Sequence, residues 1–233
     1  IGKTRVIENI VEQDIRKGYN VVIVDPKGDV ELFSKIVQVS AESGRLNEIM
    51  LLTPIFADYS LMLDPLSHYY MEDELVDHVI SGIKADEDYY ISVATAITQA
   101  IVEALVLMAK YRGVKPAINF ADIKAYAGHA ELELLQNQIQ LIPGSRHTVD
   151  RIEQLRKSPQ DFFSKVSSSL MTTLSALTSS NTGRIIGHAK TNEFIERFEQ
   201  GKGAILYCNT GVMLARRTAH IIAPITTNRP KAV

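Results

Sequence analysis

One cysteine, Cys208, is too few for a disulfide framework, so the chain is no small secreted scaffold and is consistent with a reducing cytosol. Cys208 sits with the apolar residues 204–207, where packing accounts for it better than nucleophilic chemistry does. Charge of one sign is scarce as well. Against 27 Asp and Glu stand 25 Lys and Arg, a formal net charge of −2. With no global basic field, any DNA contact needs a local patch or an assembled pore. Metal-site spacing is missing too: His129, His147, His188 and His220 form no H-x-x-x-H or H-E-x-x-H pattern. His68 and His78, near Glu72, Asp73, Glu74 and Asp77, read as members of a solvated acidic helix rather than metal ligands. The longest apolar stretch, 91–109, is interrupted by Ser92, Thr95, Thr98, Gln99 and Glu103, which a lipid-facing helix would carry at a cost. A long buried helix of a soluble domain is the better reading. A hydrophobic content of 45% over 233 residues suits one or two globular domains.

What is present starts at the second residue. Gly2-Lys3-Thr4 matches the closing half of a phosphate-binding loop, G-x-x-x-x-G-K-[ST]. In such a loop, backbone N–H groups and the positive end of the next helix cradle phosphate oxygens. Lys3 would then place its cation on the β- and γ-phosphates, and Thr4 would offer its hydroxyl to Mg²⁺. The front of the loop and its feeding strand are not in the sequence, so the chain is expected to be a fragment cut inside its nucleotide site. Three residues match by chance often enough that their context has to carry the argument.

That context is specific. Val6, Ile7, Ile10, Val11 and Ile15 recur at helical spacing across 4–17, Arg16 and Lys17 suit a helix C-terminus, and Gly18 suits a left-handed cap. Val21-Val22-Ile23-Val24 then reads as a buried parallel strand. Phosphate loop, helix, buried strand and polar tip follow the order of the first βαβ unit of a P-loop NTPase. Ligands gather at the carboxyl ends of parallel strands, which puts Asp25 near the nucleotide. Asp25-Pro26-Lys27-Gly28 also fits a type I turn, with Asp29 capping a helix over 30–43 whose core positions are Leu32, Phe33, Ile36 and Val37. Turn chemistry accounts for Pro26 and Gly28. It accounts only in part for Asp25 and Lys27, which stand as nucleotide-adjacent candidates.

Between 71 and 181 the pattern turns helical, with no convincing strand. Helices are expected over 73–83 and 89–111, the acidic Asp86-Glu87-Asp88 preceding the second. A short one capped by Asn119 runs to 126 and stops at Gly128. Others cover 131–141, ended by Pro143-Gly144, and 148–156. A long helix starts at Ser158-Pro159 and reaches about 177, burying Leu170, Leu174 and Leu177. The expected fold is therefore α/β: an incomplete parallel-sheet P-loop core over 1–83, an all-α insertion over 84–182, and resumed core over 183–233. No catalytic constellation stands out in the insertion.

Gly-Lys-Thr, a helix and then Val-Val-Ile-Val-Asp-Pro-Lys-Gly-Asp together resemble the conjugative coupling proteins of type IV secretion, the TraD/TraG family. That family belongs with the hexameric DNA-pumping ATPases, chromosome translocases included. Leu63-Asp64-Pro65-Leu66 is similar to the segment before the family's helical insertion, and 203–211 with 215–219 to the strand and helix that resume the core. The resemblance implies a RecA-like fold and a homo-oligomeric ring at the cytoplasmic face of the bacterial inner membrane. It also implies ATP and Mg²⁺ held by Gly2, Lys3 and Thr4, with Asp25 and Lys27 alongside. Such a ring threads single-stranded DNA with its relaxase, the relaxosome, toward the type IV secretion channel. Arg216 and Arg217 become weak candidates for phosphate or DNA contact, since ring ATPases use a neighbour's arginine on the transferring phosphoryl group. The family's acidic Walker B strand matches nothing here, so this stretch is expected not to hydrolyse ATP alone. Two alternatives are a related chromosome or DNA translocase and a non-catalytic docking module that binds relaxase or DNA. A sheet without its first strand is also expected to expose an aggregation-prone edge.

Overall fold

Helix α1 (Lys3–Arg16) leads through Gly18, at a left-handed φ of +81°, into strand β1 (Val21–Asp25). Helix α2 (Val30–Glu42) and strand β2 (Ile49–Leu52) follow, and β3 (Ile205–Asn209) returns from far along the chain. This is a computed structural model describing residues 3–83 and 88–209, with side chains from residue 5 onward. Mixed α/β architecture is plain: the strands form one parallel sheet in the order β1-β3-β2. Val21 pairs with Ile205 and Asp25 with Asn209 on one side of β3, and Ile49 with Ile205 and Leu52 with Cys208 on the other. Central β3 is buried from Ile205 to Cys208, as expected of an apolar strand covered on both faces.

β1 departs from its expected burial. Val21, Ile23 and Asp25 are buried, whereas Val22 on the opposite face is 39% exposed. Among the described strands it lies at the edge of the sheet with one packed face, so an unbroken apolar run did not mean burial on both sides. The packed face joins Val11 and Ile15 of α1, Leu32, Ile36 and Val39 of α2, and Ile205 and Tyr207 of β3 in one cluster. Val6, Ile7 and Ile10, which share the helical spacing of Val11 and Ile15, are 57%, 47% and 52% exposed. Only the C-terminal half of α1 reaches the cluster, because Glu12 and Arg16 pair with Lys35 and Glu42 at 2.9 and 2.6 Å and fix α1 alongside α2 there. Arg45, 8% exposed, closes α1 from below: its guanidinium donates to the carbonyls of Ile15 and Tyr19 and pairs with Glu48.

The chain divides into two compact units, one made of residues 1–63 with 191–233 and the other of residues 64–190. The second has only helices among its described residues. They are α3 (Glu72–Ile80), α4 (Asp88–Tyr111), α5 (Phe120–Tyr126), α6 (His129–Ile139), α7 (Arg146–Arg156), α8 (Gln160–Val166), α9 (Ser168–Thr178) and α10 (Ser180–Thr182). Its limits differ from the expected 84–182 because α3 packs on α4, and a π-helical turn at Gly183–Gly187 packs on α9. By length and composition alone α4 could cross a membrane, yet Ala94, Ile97, Ala100, Ile101 and Ala104 are fully buried against neighbouring helices. Asn119 and Asp122 form a reciprocal capping box at the start of α5, each side chain accepting the other's N–H at 3.0 Å. The expected long helix after Pro159 is broken at Ser167, and there the Ser168 hydroxyl bonds back to the Lys165 carbonyl.

Gly187 admits no side chain, since a Cβ there would collide with the Leu177 carbonyl oxygen. Gly187→Ala is expected to cost about 2–3 kcal/mol, read as a lower urea midpoint, because a buried backbone must shift to make room. An unchanged midpoint would mean the π turn is free to move.

Candidate functional site

The carboxyl end of β1 turns sharply, and Asp25 organises that turn. Its Oδ1 accepts the Lys27 N–H at 2.9 Å, and its Oδ2 accepts the Asp29 N–H at 2.5 Å. Gly28, at φ +70°, supplies the left-handed residue and adds a further backbone N–H to the carboxylate. Asp29 then caps α2, its Oδ1 taking the N–H groups of Glu31 and Leu32 at 2.9 and 3.2 Å.

The adjacent strand completes the arrangement. Tyr207, 1% exposed on β3, donates its hydroxyl to Asp25 Oδ2 at 2.6 Å, and its ring tilts against Phe33 with centroids 4.9 Å apart. Asn209, paired in register with Asp25, lies over Gly28: a Cβ on that glycine would sit 3.0 Å from its Oδ1. Burial works against an ionised Asp25. The Tyr207 hydroxyl and the N–H groups of Asp29, Lys27 and Gly28 outweigh it and hold the carboxyl below its ordinary 3.8. Burial, with the Asp25 bond adding to it, pushes Tyr207 up, so that it keeps the proton it donates. Burial likewise raises the Cys208 thiol to about 12, which leaves it no thiolate for nucleophilic work.

The two helices point the same way. Pairs Glu12–Lys35 and Arg16–Glu42 align α1 and α2 in parallel. The start of α1 at Lys3 therefore lies toward the same end of the sheet as turn 25–29. Positive helix ends accordingly converge on the carboxyl edge of the strands. Lys27 is exposed there, and its ammonium has no ion-pair partner among the described residues. Of Lys3 and Thr4 only the backbone is described, and Gly2, Arg216 and Arg217 lie outside the described residues.

So Asp25 shapes the tip with both oxygens engaged, while Lys27 presents an exposed charge beside it. Tyr207 and Asn209 escaped the sequence reading. A tyrosine and an asparagine in an apolar strand are unremarkable until the β1–β3 register sets them against Asp25 and Gly28. Among the described residues no group of three or more His, Cys, Asp and Glu is placed to hold a metal. Compared with known proteins, the chain matches no family model, and no curated protein matches it.

Proposed function

We propose that the chain is the nucleotide-binding part of a RecA-like, DNA-pumping ATPase of the conjugative coupling type, interrupted by a helical domain. One observation carries the reading. A Gly-Lys-Thr tripeptide opens a helix whose start shares one end of a parallel sheet with the turn that closes Val-Val-Ile-Val-Asp-Pro-Lys-Gly-Asp. In this reading Gly2, Lys3 and Thr4 hold the phosphates of ATP and its Mg²⁺, Asp25 fixes the tip, and Lys27 adds a second cation. A ring of such subunits, with Arg216 or Arg217 reaching a neighbour's site, turns ATP-driven motion into transfer of single-stranded DNA and its relaxase to a type IV secretion channel at the inner membrane.

The test is made in the intact protein that carries these residues. Lys3→Ala is expected to abolish Mg²⁺-dependent binding of a fluorescent ATP analogue and to lower DNA-stimulated hydrolysis roughly 100-fold or more. Binding and hydrolysis that survive the change would end the nucleotide-site reading. A related chromosome translocase would pass the same test and differ in its DNA substrate.

A further inference from the structure

We draw no further inference here: the strongest candidate, the surface patch on loop 53–60 after β2, where Ile55, Phe56 and Tyr59 are 51%, 60% and 81% exposed, carries nothing, because nothing in the structure shows what covers it.

Discussion

Replacing Asp25 by alanine is expected to lower the unfolding free energy by about 3–5 kcal/mol, read as an earlier urea midpoint with an unchanged slope. The size follows from what the carboxylate satisfies. It accepts the Tyr207 hydroxyl and the N–H groups of Lys27, Gly28 and Asp29, all at a position only 7% exposed. Alanine leaves those donors facing a hole, and Tyr207 retains only a longer approach of 3.3 Å to the Asp29 carbonyl. Removing one partner of a buried polar network costs more than the bond itself is worth, because the remaining donors have given up water. Tyr207→Phe leaves the backbone donors satisfied and should cost only about 1–2 kcal/mol. In a double-mutant cycle the two changes should couple, since they share one bond. The pH dependence has a definite sign. Asp25 has a folded pKa below its ordinary 3.8, so its contribution is complete above that value and fades as pH falls through the lower one. The gap between wild type and Asp25→Ala should therefore narrow in strong acid. A full-size gap there, or no gap at neutral pH, would show that this carboxylate does not hold the tip.

That network also marks where the sequence stops being readable. Local features could be read directly: Gly18 at φ +81°, Asp29 on the first turn of α2, Asn119 at the start of α5. Each depends on neighbours a few positions away, and side-chain-to-backbone chemistry at that range is nearly self-contained. Coverage is different. Val6, Ile7 and Ile10 have a helical period and α1 is a helix, yet no periodicity tells which turns meet the sheet. The same limit applies to Val22, whose exposed face depends on which strands lie beside β1. Ile49–Leu52 is too short and too plain to declare itself a strand before β3 is there to pair with it. At the candidate site, Asp25 and Lys27 were visible because they sit in a distinctive turn, whereas Tyr207 and Asn209 acquire meaning only through register. Buried Arg45 belongs to the same class. It closes the end of α1 from a position that no helix-end pattern includes.

Asp64, in the Leu-Asp-Pro-Leu segment, leads to the opposite pH behaviour. It is 3% exposed, and its Oδ1 accepts the Leu66 N–H at 2.9 Å while its backbone carbonyl accepts the Ser67 hydroxyl. Burial pushes its carboxyl up to about 7; the Leu66 N–H opposes that rise, and the charge of Asp122 adds to it. Here the folded state prefers the neutral acid. Below the ordinary 3.8 both folded and unfolded chains hold the proton, and the group costs nothing. As pH rises toward 7 the unfolded chain releases the proton first, so stability falls through that window and stays lower above it. Asp64→Asn mimics the neutral acid, with one acceptor for the Leu66 N–H and a donor in place of the acid proton. The variant is therefore expected to match wild type near pH 4 and to exceed it by about 2–4 kcal/mol near pH 8.5, in urea unfolding followed at both pH values. Equal stability at pH 8.5 would mean that the Asp64 carboxylate is ionised at no cost in the fold, with a donor of its own to hold the charge. A variant weaker at both pH values would mean that the second oxygen accepts a bond which an amide cannot take.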